Sequence, residues 1–144
     1  MFLLLIAAHL CGDVLSYSRF LSGLKRSERL GVKIGGIGLH CFIHGLFVLV
    51  WLWPLPWGIR LWAAVYIFVT HFIIDFARTP VERALIDKRD FRILKRSDPL
   101  FYFLGKGNPE TRAFMKKYLG GWTLANVIDQ SLHITAIAIF ALLV

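Results

Sequence analysis

The chain has 144 residues, of which 57% are hydrophobic, and its formal net charge is +8. Its mean hydropathy of +0.62 is higher than that of an ordinary soluble domain. These values argue against a soluble enzyme and predict a single membrane domain that covers residues 1–144.

Four apolar segments follow one another along the chain, each near the ~20 residues that a helix needs to cross a bilayer. They cover residues 2–19, 34–53, 59–78 and 119–144. The first has no basic residue before its apolar run, and His9 and Asp13 interrupt that run, so we expect a retained helix rather than a signal peptide. The predicted fold is all-α: a polytopic membrane protein with a four-transmembrane-helix bundle.

Each apolar segment carries one pair of His or Asp residues four positions apart, and the pairs include every histidine. The pairs are His9–Asp13, His40–His44, His71–Asp75 and Asp129–His133. Residues four apart lie nearly above one another on a helix, about 6 Å along its axis. We expect the four edges to face one another and to form a cage of imidazoles and carboxylates.

These eight residues are the predicted metal ligands. An uncompensated charge at mid-membrane costs about 2.5–3.5 kcal/mol. No lysine lies deep in a segment and the arginines lie at segment ends, so we expect bound cations to neutralise the aspartates. Mixed imidazole and carboxylate ligands suit two divalent ions, zinc or iron, with manganese or nickel as alternatives. A polar hydrogen-bonding network and a proton or ion path are alternative interpretations.

Other residues of these segments are predicted to assist the ligands. Asn126 and Gln130 flank Asp129 and are candidate cofactor-binding residues, because they could hydrogen-bond to the side chains that hold the metal. Plain interhelical hydrogen bonding is the alternative. Tyr17 continues the first stripe and is interpreted as an interfacial aromatic residue. Asp129 and Asp75 are the candidate catalytic residues, because either could act as a general base instead of a ligand.

Basic residues cluster in the connections 19–33 and 78–118, and basic loops stay cytoplasmic. Both termini should therefore lie outside, and all four His/Asp pairs should fall in the cytoplasmic half of the bundle. Topology and anionic lipid headgroups explain the basic excess. Since no nucleic-acid-binding module is recognisable, the expected partners are membrane lipids and a lipid-like or small-molecule substrate, not nucleic acid.

The inner connection 79–118 has several predicted parts. Thr79-Pro80 is expected to end the third helix, and residues 82–96 suit a helix on the membrane surface. Residues 98–104 are too apolar for open water, and residues 105–108 form a turn. Asn108-Pro109-Glu110 then begins a helix that runs into the fourth segment. We interpret the connection as an interfacial anchor, with a lid or lipid-headgroup platform as the alternative.

Three motifs resemble the domain-of-unknown-function family 3307, a family of small bacterial membrane proteins. They are Ala8-His9-Leu10-Cys11-Gly12-Asp13, His71-Phe72-Ile73-Ile74-Asp75 and Asp129-Gln130-Ser131-Leu132-His133. The resemblance spans nearly the whole chain and implies a location in the bacterial inner membrane, without a settled activity. Tyr17 stands where the family pattern has glutamine. A looser similarity to membrane-bound metal-dependent hydrolases is analogy only.

Taken together, these features predict a membrane-embedded metal-dependent enzyme. The expected reaction is hydrolysis of an ester or phosphoester, including lipid esters, by metal-activated water. The alternatives are an iron-dependent membrane oxidase or hydroxylase, and a metal-ion or proton transporter that uses the same residues as a path. Formation of a homo-oligomer would help a transporter to build a pore.

Overall fold

The computed structural model describes residues 1–86 and 97–144, and within these residues all regular secondary structure is helical. The helices are α1 (Phe2–Ser16), α2 (Arg19–Lys25), α3 (Leu30–Trp51), α4 (Trp57–Leu85), α5 (Asp98–Phe103) and α6 (Pro109–Leu143). In the described residues α3, α4 and α6 are long and apolar enough to cross a membrane, and α1 with α2 would add a fourth, broken span. The predicted all-α polytopic fold is confirmed.

An apolar core joins α1, α3, α4 and α6 at one end of the bundle. This core contains Leu5, Ala8, Val48, Leu52, Ala63, Ala64, Ile67, Ile137 and Phe140. It lies near the start of α1, the end of α3, the start of α4 and the end of α6, so both termini are at this end. Large apolar side chains such as Leu15, Val50 and Leu124 are exposed on the outside, as expected for helices that face lipid.

The chain breaks after α1 and folds back as α2. The hydroxyl of Ser18 accepts a hydrogen bond from the Leu21 N–H at 3.0 Å and caps α2, whose axis is turned by 102° from that of α1. α2 packs directly on α3 at Gly36. A Cβ added at this glycine would lie only 2.5 Å from the Cβ of Leu24. The first apolar helix therefore ends at Ser16 rather than at residue 19, and part of the predicted loop 19–33 is helical.

α4 continues through Pro80 to Leu85, so the prediction that Thr79-Pro80 ends this helix was wrong. Proline has no N–H, which leaves the carbonyl of Phe76 without its helical donor. The ammonium of Lys33 on α3 donates to that carbonyl at 3.1 Å and lies 4.0 Å from the centroid of the Phe76 ring. This outside donor compensates for the missing hydrogen bond.

The predicted surface helix 82–96 was also wrong at its start, since Glu82 is buried within α4. Residues 87–96 of that prediction lie outside the described residues. The next predicted parts are confirmed: Gly105 and Gly107 have φ of +67° and +105° in the turn, and the Asn108 side chain accepts from Thr111 N at 2.7 Å to cap α6. The role of the connection as anchor or lid stays a prediction.

Candidate metal centre

All eight predicted ligands come together inside the bundle. Each of α1, α3, α4 and α6 contributes its pair, and seven of the eight residues are buried. Asp13 is the exception, with 31% of its side chain exposed. The rings are close, with centroids 3.9 Å apart for His71 and His133 and 5.3 Å apart for His9 and His71. The i,i+4 spacing therefore predicted the right edges and the right face of each helix.

The cluster is a row of three adjoining positions rather than one round cage. Three groups have ligand atoms within 4.8 Å of one another: His9, Asp13, His44 and His71; His40, His71 and Asp75; and Asp75, Asp129 and His133. The first two groups share His71, and one imidazole nitrogen binds one ion. The first and third groups share no residue. Two cations can therefore be held at once without competition for a ligand.

Short contacts between side-chain nitrogen and oxygen atoms characterise the interior of the cluster. His40 Nε2 lies 3.1 Å from His71 Nε2, so at most one of these two nitrogens can carry the proton between them. His44 Nε2 lies 3.3 Å from Asp13 Oδ1. Within residues 1–86 and 97–144, Nδ1 of His9 and both ring nitrogens of His44 have no hydrogen-bond partner, and of the two His44 nitrogens it is Nε2 that faces Asp13. Buried polar atoms are normally satisfied, so these unsatisfied nitrogens fit a set of candidate cation ligands.

Gly12 allows α1 to approach His44. A Cβ at this position would lie 2.6 Å from both Cε1 and Nδ1 of the His44 ring, closer than real side chains come. The ring therefore packs on the bare backbone of α1, between His9 and Asp13. The same helix that supplies one candidate ligand pair thus also makes room for the His44 ring of α3.

Two basic residues form ion pairs with aspartates of the cluster, and neither was predicted from the sequence. Lys25 Nζ of α2 is 2.6 Å from Asp75 Oδ2, and Arg78 Nη1 donates to Asp129 Oδ2 at 2.7 Å. The expectation that no lysine or arginine reaches the aspartates was therefore wrong for Asp75 and Asp129. Arg78 could have been found, because it follows Asp75 by three residues and so shares its helix face. Lys25 reaches the cluster only through the fold-back of α2.

The predicted assisting residues differ in what they contact. Gln130 Oε1 lies 3.2 Å from His9 Nε2, and Gln130 Nε2 donates to Asp13 Oδ2 at 3.2 Å. If the Nε2–H of His9 donates to Gln130, its Nδ1 carries the free lone pair. Asn126 contacts the cluster less directly, since its Oδ1 accepts from Arg78 Nη2 at 2.8 Å. Its cofactor-binding role would therefore act through Arg78.

Ser16 is a further supporting residue that was not predicted. Its hydroxyl lies 2.9 Å from Nδ1 of His40, in a buried contact between the end of α1 and α3. This contact leaves Nε2 of His40 to face the cluster, 3.6 Å from Asp75 Oδ2. A second partner of this kind commonly orients a ligating imidazole.

A buried ion-pair network fixes α2 against α4 beside the cluster. Arg26 donates through Nε and Nη2 to the two carboxylate oxygens of Glu82, at 2.8 and 2.9 Å. Arg78 Nε donates to Glu82 Oε1 at 2.7 Å. Bidentate pairing of this kind specifies orientation as well as adding energy. Glu82 therefore holds Arg78 in place for its contact with Asp129.

A cavity of about 340 Å³ opens on one side of the cluster. Its deep wall contains cluster residues, including Asp13, His71 and Asp129. Basic and apolar groups form the rest of its lining: Lys25, Arg26, Arg78, Leu10, Val14, Leu21, Pro99 and Trp122. On its opposite side the cluster meets the apolar core. Ala8 belongs to this core and immediately precedes His9 in the sequence. The cluster is thus accessible from the end of the bundle that carries the basic residues.

The chain belongs to the protein family of unknown function DUF3307, whose sequence profile matches residues 1–144. The resemblance seen in the three motifs is therefore confirmed. No curated protein and no solved structure gives a significant match to the chain. The looser similarity to membrane-bound hydrolases stays a prediction.

Proposed function

We propose that this protein is a membrane-embedded, metal-dependent hydrolase that holds two divalent ions in the His/Asp cluster. The observation that carries the proposal is the convergence of four ligand pairs from four helices into adjoining groups with unsatisfied imidazole nitrogens. Zinc or iron suits these ligands best, with manganese or nickel as alternatives. The expected substrate is an ester or phosphoester, including that of a lipid.

The ions would supply an activated water and would polarise the carbonyl or phosphoryl oxygen of the substrate. Of the two candidate general bases, the geometry favours Asp129. Its Oδ2 is held by Arg78, while its buried Oδ1 has no hydrogen-bond partner in the described residues and lies 3.7 Å from His133 Nε2. Asp75 takes part in two of the ligand groups and its Oδ2 is already paired with Lys25, so the role of a ligand would suit it better than that of a base.

Transport through the cluster is less well supported. Beyond the cluster, the hydroxyls of Tyr66, Thr70 and Thr135 donate to backbone carbonyls of Ala136, Tyr66 and Ser131 respectively. The buried apolar core occupies the remaining interior toward the termini. A continuous hydrated path would have to pass this core, whereas an enzyme needs access from one side only.

The lining of the cavity supports a lipid-like substrate. Leu10 and Val14 line the cavity and are also exposed on the outer surface of α1. An acyl chain could therefore extend from the cavity into the surrounding lipid. With the basic connections in the cytoplasm, the substrate would enter from the inner leaflet.

Metal analysis of the detergent-purified protein, with His71→Ala as the key variant, tests this proposal. We expect two divalent ions per wild-type chain and loss of at least one ion in His71→Ala, because His71 belongs to two ligand groups. Phe72→Ala, at the next position and outside those groups, is the control and should keep both ions. Unchanged stoichiometry in a helical His71→Ala protein would contradict the ligand assignment.

The identity of the metal and a functional assay separate the alternatives. Tightly held zinc, together with turnover of a phosphoester or carboxylic ester, supports hydrolysis. Iron with visible absorption favours the oxidase or hydroxylase instead. A protein that retains no metal but conducts cations or protons in vesicles would be a transporter.

A further inference from the structure

The three basic residues at the cavity differ in how firmly they are engaged. Arg26 uses two donors on Glu82, and Arg78 is shared among Glu82, Asp129 and Asn126. Both guanidinium groups are therefore fixed by several contacts. Lys25 has one ion-pair partner in the described part of the chain, Asp75, at 2.6 Å. Loss of the Asp75 contact alone would therefore be enough to release the ammonium of Lys25.

In the proposed function, Lys25 would compete with a metal ion for the same oxygen of Asp75. Asp75 Oδ2 lies 3.6 Å from His40 Nε2 and 3.9 Å from His71 Nε2, so it faces a ligand group as well as the ammonium. A divalent ion bound to this oxygen would repel Lys25 at short range. Metal loading is therefore expected to turn the ammonium of Lys25 away from Asp75 and into the cavity, which this residue already lines.

Binding of two divalent ions would also reverse the net charge of the groups around the cavity. Four carboxylates (Asp13, Asp75, Glu82 and Asp129) face three basic side chains (Lys25, Arg26 and Arg78) in this region. With neutral, ligating imidazoles the balance is negative by one charge. Two divalent ions would make it positive by three. Buried excess charge is unfavourable, so the loaded cavity needs an anion.

We infer that Lys25, together with Arg78, forms an anion subsite that receives the phosphoryl group of a phosphate ester. The inference rests on the proposed metal-dependent function and narrows its substrate class. A phosphate monoester carries about −1.5 to −2 charges at neutral pH and several strong acceptor oxygens. A carboxylic ester carries no charge and would leave the released ammonium without a partner.

Calorimetric titration of the metal-loaded, detergent-purified protein with inorganic phosphate tests the subsite. We expect Lys25→Gln to bind phosphate about 10- to 100-fold more weakly than wild type, as for loss of a charge-assisted hydrogen bond. The same variant should hold its metal at least as tightly, because the competing ammonium is gone. Lys116→Gln, exposed on α6 and outside the cavity lining, is the matched control and should change neither affinity.

The outcomes separate this inference from the proposed function. Equal phosphate affinity in wild type and Lys25→Gln, with two ions bound to each, overturns the subsite and leaves the metal centre standing. Weaker metal binding in Lys25→Gln shows a merely structural role and also overturns it. A wild-type protein that binds no divalent ion overturns both proposals.

A second titration, with a soluble short-chain phosphatidic acid, identifies the source of the phosphoryl group. Tighter binding of this lipid than of inorganic phosphate supports a lipid phosphate whose chain lies along Leu10 and Val14. Equal binding supports a soluble phosphate ester at the same subsite. Failure of the loaded protein to bind either ligand overturns the inference.

Discussion

Individual histidines of the cluster are oriented by residues that are not themselves ligands. Ser16 contacts Nδ1 of His40, and Gln130 contacts Nε2 of His9. Each contact decides which ring nitrogen is left for a cation. Arg78 does the same for Asp129, since it holds one carboxylate oxygen and leaves the other facing His133. The candidate ligands are thus arranged largely by the protein itself, which would lower the cost of organising them if a cation binds.

Gly12→Ala tests the close contact between α1 and the His44 ring. The added Cβ would lie 2.6 Å from two ring atoms, so His44 must move away from its partners. We expect weaker metal binding and a loss of about 1–3 kcal/mol in the free energy of unfolding. Titration calorimetry and thermal unfolding in detergent would measure the two effects.

Gly38→Ala is the matched control for that substitution. Nothing lies within 4 Å of a Cβ added at Gly38, and alanine favours a helix over glycine by about 1 kcal/mol. We expect unchanged metal affinity and equal or higher stability. A Gly12→Ala protein that binds metal like wild type would show that His44 does not need this position to serve as a ligand.

At the scale of helices, the sequence predicted most of the fold because bilayer thickness and helix periodicity are both local constraints. Apolar length predicted the three helices that are long enough to cross a membrane and the apolar helix α1, which would make a fourth span only together with α2. The i,i+4 spacing predicted the edge that each of the four turns inward. The ends of the helices were predicted less well. α4 passes through Pro80 because Lys33, distant in sequence, donates to the carbonyl that proline leaves free. Such compensation depends on tertiary contacts that a pattern within one segment does not contain.

The same limit explains why the site was predicted without Lys25. Its place beside Asp75 depends on the 102° turn between α1 and α2 and on the close packing of α2 against Gly36. Neither feature is a periodic signal. A basic residue in a short polar connection is ordinarily a topology signal, and this one is also part of the cavity.

Gly36→Ala tests whether the packing of α2 positions Lys25. A Cβ at Gly36 would lie 2.5 Å from Leu24 Cβ and 2.8 Å from the backbone nitrogen of Lys25, so α2 must shift. We expect a lower melting temperature, by an amount equivalent to about 1–3 kcal/mol, and weaker phosphate binding by the loaded protein. Gly35→Ala, at the adjacent position with nothing within 4 Å, should behave like wild type. Equal melting temperatures for the two variants would contradict tight packing of α2 on α3.

Over the whole molecule, polarity changes in order along the bundle. The apolar core lies at the end that holds both termini, the His/Asp cluster follows, and the ion pairs of Arg26, Arg78 and Glu82 lie beyond it. Charged groups are least costly near the membrane surface, where water and headgroups solvate them. The order places the cavity mouth near one membrane surface, and the basic connections predict that this surface is the cytoplasmic one.

Reporter fusions test this orientation and the number of spans. Alkaline phosphatase is active only outside the inner membrane. Green fluorescent protein that the general export pathway carries across does not fluoresce, so its fluorescence reports a position inside. We expect phosphatase activity for fusions at Met1 and Val144, and fluorescence for an insertion in the turn at 105–107. Opposite locations for the two termini would show that α1 with α2 does not cross the membrane. Fluorescence of fusions at both termini, with no fluorescence from the insertion in the turn, would place the cavity mouth outside. The substrate would then enter from the outer leaflet.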